Sequence, residues 1–186
     1  NMWDFLKKVI EEFPEEITGV CATPANDYLF KVRENGRKLS EELAKAFHHT
    51  VYQLLFAANR ARRDIQTAVS FLTTRVKNPD EDDWGKVKRV LSYLKGTIHM
   101  PLIHMPLILS ADSLTLSRWW VDTAYAIHNN CQGQTGVRMS FGRRMALSYS
   151  WKQKINTKSY TKSELVVCDD ALTTILWTLY FVEAQG

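Results

Sequence analysis

The chain has 186 residues, 45% of them hydrophobic and 24% charged, with a net charge of +4. That balance excludes a largely disordered chain and leaves room for one generous domain or two small ones. No uninterrupted apolar run approaches the ~20 residues of a membrane-spanning helix, and no basic flank followed by an apolar core marks a signal peptide.

Phe5, Val9, Ile10 and Phe13 keep helical spacing until Pro14 stops them. Residues 24–36 read as loop, with one short strand over 28–32. Leu43, Phe47, Val51, Leu54 and Leu55 predict a second helix, and Ile65, Ala68, Val69, Leu72 and Val76 a third. The fourth helix has the clearest local signature. Asn78 can cap it, Pro79 suits the first helical position, and Glu81 sits where a capping box wants a carboxylate. Trp84, Val87, Val90, Leu91 and Leu94 then form the stripe that is buried, and Gly96 ends it. The adjacent pair His48-His49 is a poor chelate, because neighbours on a helix point about 100° apart.

Residues 98–102, Ile-His-Met-Pro-Leu, recur unchanged at 103–107. Two copies are too few for a solenoid, so this is a short duplication in a linker. The boundary between halves falls near 110–113.

Beyond it the period changes. Trp119, Trp120 and Val121 predict a strand ending near Asp122. Val137, Met139 and Phe141 alternate, as do Met145, Leu147, Tyr149 and Trp151, with Gly142-Arg143 as a hairpin turn. After Lys158 helical spacing returns, and Leu165, Cys168, Leu172, Ile175, Leu176 and Leu179 share a face. The expected class is α+β: a helical region over 1–110, then three strands and a long helix over 111–186.

Charge is unevenly spread. Residues 123–163 hold no acid and seven bases: Arg138, Arg143, Arg144, Lys152, Lys154, Lys158 and Lys162. A positive stretch in an otherwise mildly acidic chain suits an anionic partner, most often nucleic acid. Lysines on strand edges also discourage aggregation, so charge alone leaves both readings open. Cys21, Cys131 and Cys168 are odd in number and far apart, which favours a reducing, intracellular setting over disulfides or zinc.

Several segments carry a family resemblance. Ala61-Arg62-Arg63-Asp64-Ile65-Gln66-Thr67-Ala68-Val69 resembles the A-R-P-D-I-x-x-A-V segment of copia-type retrotransposon reverse transcriptases. Trp84 onward, ending Tyr93-Leu94-Lys95-Gly96-Thr97, is similar to that family's W…R-x-L-x-Y-L-K-G-T helix. Val121-Asp122-Thr123-Ala124-Tyr125 resembles the first strand of the ribonuclease H domain that follows. Thr135-Gly136 matches its T-G position, and Lys152-Gln153-Lys154 with residues 157–165 resembles K-Q-K…T-K-S-S-T-E-A-E. The helix from Ala171 resembles the family's long helix ending I-L-W…E-x-x-G. The segments are collinear and cover most of 40–186.

The resemblance implies the end of a reverse transcriptase, its thumb or connection region, joined to an incomplete ribonuclease H domain. It implies Asp122 and Glu164 as carboxylate ligands of Mg²⁺, two ions in the intact parent domain, which would flank the scissile phosphate of an RNA–DNA hybrid. Arg138, Arg143, Arg144, Lys152, Lys154 and Lys158 are the expected nucleic-acid contacts. Glu164 has a simpler role open to it, completing a capping box with Thr161. Asp169-Asp170 imitates a polymerase pair but lies inside a helix, and reads as helix surface or as support behind the site.

The family's third carboxylate would follow Gly186, so the expectation is no significant cleavage by this chain. Tyr160, Lys162 and Thr123 depart from the family's usual residues, as decay would produce. With three of five strands visible, marginal stability or self-association through an exposed sheet edge is expected. Other implied partners are the rest of the polyprotein, in a cytoplasmic particle or the nucleus, and no membrane. A non-catalytic nucleic-acid-binding module and a purely structural helical module remain the competing readings.

Overall fold

The computed structural model describes residues 2–100, 116–141 and 144–185. The chain divides into two compact units, Asn1–Leu102 and Ile103–Gly186. Among the described residues it is a mixed protein of five α-helices and one three-stranded antiparallel sheet.

In the first unit, α1 spans Met2–Glu11, α2 Glu41–Arg60, α3 Gln66–Thr73 and α4 Glu81–Gly96, with a 3₁₀ turn over Arg63–Ile65 before α3. Their apolar stripes meet in one core built on Leu6, Val9, Phe47, Leu54, Phe71 and Leu91. Each such side chain contributes about 1.5–3 kcal/mol on leaving water. The stripe predicted on α4 is buried as read. Val76, predicted in the third helix, lies beyond its end but still packs on the core. The predicted strand at 28–32 is a turn instead, closed by Leu29 N–H to Asn26 O and Lys31 N–H to Tyr28 O.

The start of α4 also differs from expectation. Asp80, not Asn78, is the cap: its carboxylate accepts from the amides of Asp82 and Asp83, while Asp83 reaches back to the Asp80 amide. Pro79 stays outside the helix because residues 79 and 81 bond the backbone of Leu39 and Arg37. Arg75 pairs with both buried carboxylates, at 3.5 Å from Asp80 and 2.9 Å from Asp83. A side chain at Gly36 would start 2.7 Å from the Asp80 carboxylate, so the close approach there needs glycine.

The two segments that resemble reverse transcriptases, around Arg62-Arg63-Asp64 and Tyr93 to Thr97, interlock. Arg62, 3% exposed, donates twice to Asp64 and also to the Thr97 hydroxyl at 2.7 Å and its carbonyl at 3.3 Å. The Tyr93 hydroxyl donates to the same Asp64 carboxylate at 2.8 Å, and the guanidinium lies over the Tyr93 ring. Residues 35 apart in sequence are thereby tied at the end of α4.

In the second unit, β1 (Ser117–Ala124), β2 (Gln134–Phe141) and β3 (Arg144–Lys152) form the sheet in chain order, and α5 (Tyr160–Gln185) packs over β1 and β2. β1 runs longer than the sequence reading, to Ala124. The register irregularity at Met139/Ser140 pairs Met145 with Ser140 and leaves it 39% exposed, off the alternation of Leu147, Tyr149 and Trp151. The expected turn at Gly142-Arg143, the boundary near 110–113 and most of the repeat lie outside the described residues.

α5 corrects the sequence reading most. Its buried face is Ser163, Val167, Ala171 and Thr178, small residues that let the helix settle onto Val137, Val121 and Trp119. The leucines grouped by spacing, Leu165, Leu172, Leu176 and Leu179, do share a face, but it points outward. α5 is long and apolar enough to cross a membrane by length and composition, which the sequence reading missed because Asp169 and Asp170 interrupt the apolar run.

Candidate active site and nucleic-acid face

Strand alternation decides where the site residues stand. On β1, Trp119, Val121 and Thr123 face α5, so Asp122 lies on the opposite, open face with Trp120. The register sets Asp122 across from Gly136, and Gly136 across from Ser150. One row away, Trp120, Arg138 and Ser148 align, and on the other side Ala124, Gln134 and Lys152. Asp122 accepts from the amide of Thr123 at 2.8 Å.

Glu164 stands just past the first turn of α5, and that turn is anchored by a buried polar knot. Gln153, 1% exposed, donates to the Thr123 hydroxyl at 3.1 Å and the Ser163 carbonyl at 3.3 Å, and accepts from the Ser163 hydroxyl at 3.0 Å. The Thr123 and Ser163 hydroxyls lie 2.9 Å apart, and the Gln153 amide donates to Gly133 O at 2.8 Å. The knot joins the residue after Asp122 to the residue before Glu164. Thr123, read from sequence as a departure, is a working member of it. A Cβ on Gly133 would sit 2.5 Å from the Gln153 carbonyl oxygen and 3.0 Å from the Ser163 hydroxyl.

Tyr160 hydrogen-bonds Glu164 and feels the charge of both carboxylates. Its phenol is held above its ordinary pKa first by its hydrogen bond to Glu164, then by the Glu164 charge and, more weakly, by the Asp122 charge. Two of its residues that departed from the family pattern thus touch the site itself. Thr161 does not cap α5: Ser159 does, accepting from the Lys162 amide at 3.3 Å, so Glu164 is not needed for a capping box with Thr161.

Asp122 and Glu164 are hard oxygen donors, and Mg²⁺ is often held by one or two carboxylates with water and substrate phosphate. The two carboxylates supply the donor type such an ion takes, one from β1 and one from α5. Among the described residues no three His, Cys, Asp or Glu gather. Asp170 does not turn to the pair. It accepts from Thr135 Oγ1 and Trp151 Nε1, each at 3.2 Å, and pins α5 to β2 and β3, while Asp169 is exposed.

The expected nucleic-acid contacts scatter. Arg138 is exposed, with its guanidinium 5.7 Å over the Trp120 ring, and Lys152 is on the same sheet face. Lys154 and Lys158 are exposed in the segment between β3 and α5, and Arg144 opens β3. Arg143 lies outside the described residues. Spacing had not singled out His128, which is 5% exposed with Nε2 2.8 Å from Gln134 Oε1. Burial chiefly, helped by the Lys152 charge, holds its pKa below the ordinary value against the Gln134 hydrogen bond.

No family model matches the chain, and no solved structure matches it. It is similar to the Retrovirus-related Pol polyprotein from transposon TNT 1-94 of Nicotiana tabacum, 25% identical over 186 residues. The match covers 98% of this chain and 14% of the length of that polyprotein. Similarity along essentially the whole chain supports reading it as a piece of a retrotransposon polyprotein.

Proposed function

We propose that the chain is the junction of a copia-type reverse transcriptase and its ribonuclease H domain, handling RNA–DNA hybrid without cutting it alone. The observation that carries this is the Gln153 knot, which fixes Thr123 and Ser163 and with them the neighbouring carboxylates, Asp122 and Glu164. A carboxylate pair held by a sheet edge and a helix start suits metal-assisted phosphodiester hydrolysis in the parent protein, where the ions would stabilise the attacking and leaving oxygens. Here the pair lacks a third ligand among the described residues, and one weakly held Mg²⁺ cannot serve both oxygens.

The second reading is binding without catalysis, and Arg138 over Trp120 on an open face with Lys152 favours it. A cation and an exposed ring together suit a sugar–phosphate backbone with unstacked bases. One experiment addresses both. Labelled RNA–DNA hybrid is incubated with the chain and Mg²⁺ over a salt series, beside Asp122→Asn and Arg138→Ala. The expected result is binding that falls steeply with salt, a slope smaller by about one in Arg138→Ala, and no cleavage above the Asp122→Asn background. Cleavage lost in Asp122→Asn would overturn the claim of inactivity. A folded chain with no hybrid binding at low salt would overturn the nucleic-acid reading altogether.

A further inference from the structure

α5 is apolar on two sides. One is seated on the sheet through Ser163, Val167 and Ala171. The other carries Leu165, Cys168, Leu172, Leu176 and Leu179, at the three- and four-residue spacing of a helix-packing seam, with Tyr180 beside them. Leu165 is 66% exposed, Leu172 49%, Leu176 39%, Leu179 47% and Tyr180 63%. With roughly 200 Å² for a fully exposed side chain of this size, the four leucines and Tyr180 offer about 500 Å² per copy. A pair would therefore bury about 1,000 Å², where specific interfaces begin.

We propose that two copies of this chain pair through this face, with their α5 helices antiparallel about Leu172. That arrangement sets Leu165 against Leu179 and Cys168 against Leu176. It also brings exposed Lys162 of one copy to exposed Glu183 of the other, matching the charges at both ends of the seam. A parallel pair would instead place like charges side by side. A lipid bilayer is a poor occupant. Asp169 borders the seam, and an Asp at mid-membrane costs about 2.5–3.5 kcal/mol. Asp170 is engaged with Thr135 and Trp151, so α5 would have to leave its sheet to span. The interface lies on the helix and not on the sheet edge.

The test is the mass of the whole chain in solution by light scattering, with the Leu172→Asp, Lys162→Glu and Lys162→Glu/Glu183→Lys variants. The expected result is a dimer for the chain as it stands and a monomer of unchanged helicity for Leu172→Asp. Lys162→Glu should weaken the dimer and the double exchange restore it. Those surface exchanges keep the test decisive if Leu172→Asp fails to fold. In the antiparallel pair the two Cys168 Cα atoms are eight residues out of step, about 12 Å along the axis, beyond the reach of a disulfide. Rapid Cys168–Cys168 crosslinking on oxidation would overturn the arrangement. A monomer at submillimolar concentration, no restoration by the double exchange, or flotation of the chain with phosphatidylserine vesicles would overturn the proposal.

Discussion

Replacing Asp64 with alanine should destabilise the first unit by about 2–3 kcal/mol. The reasoning starts from Arg62, whose side chain is 4% exposed while that of Asp64 is 37% exposed. Removing one partner of a buried pair leaves the other charged and uncompensated, a loss of about 3–5 kcal/mol. The exposure of Asp64 lets water screen part of that interaction, which brings the figure down. Arg62 would keep its bonds to Thr97 and its place over the Tyr93 ring, while Tyr93 would lose its acceptor. In a unit of about 100 residues such a loss lowers Tm by roughly 10–20 °C. Helical ellipticity followed through urea and thermal unfolding measures it. A shift within about 0.5 kcal/mol, the range of an ordinary surface change, would refute the claim that these two segments lock each other.

The same carboxylate makes a pH prediction. Burial opposes ionisation of Asp64, but the hydrogen bonds from Arg62 and Tyr93 and the Arg62 charge outweigh it, so its pKa is lowered. A depressed folded pKa means that the unfolded chain takes up the proton first. The stabilisation is complete above the unfolded value of about 3.9 and is lost as pH falls through the folded one. Asp64→Asn should unfold with a flatter acid limb than the parent chain.

Gly133→Ala forces a methyl group onto Gln153 and Ser163, neither of which has room to move. A loss of about 1–3 kcal/mol in the second unit is expected, read by urea unfolding, and an unchanged midpoint would mean the knot is slack. The His128 ring should titrate by NMR below the same ring in urea-unfolded chain. Its contribution to stability is then present above about pH 6.5 and lost as pH falls towards the folded pKa; a ring that titrates at or above its unfolded value contradicts its burial against Gln134.

The helices were legible because each carries its own period. Trp84, Val87, Val90, Leu91 and Leu94 read as one buried stripe and are one. α5 was legible as a helix and misleading as a surface, since spacing shows which residues share a face but not which face meets the sheet. Small residues decided that, because Ser163 and Ala171 allow close approach where leucines would hold the helix off. The Asp80 cap was missed because Asn78-Pro79 imitates a helix start. Only the pairing of residues 37–39 with 79–81, distant in sequence, reveals that Pro79 is outside. At the site, Asp122 and Glu164 were named by resemblance, whereas the burial of Gln153, flanked by two lysines, has no signal in the sequence.

The resemblance therefore contains two claims of unequal weight. Arg62, Asp64, Tyr93 and Thr97 are accounted for by folding: they bury one cation, satisfy it and close the end of α4. Any chain that kept this helical unit would have reason to keep them, whatever it did. Thr123, Gln153 and Ser163 form a comparable knot in the second unit, and their folding role is just as complete. Asp122 and Glu164 differ. Asp122 is exposed on the open face and accepts from the amide of its own neighbour, and Glu164 is bound by a tyrosine from its own helix. Neither is needed to hold the sheet or the helix in place. These are the carboxylates the proposed chemistry would use, and substitutions there should leave the unfolding midpoint almost unmoved.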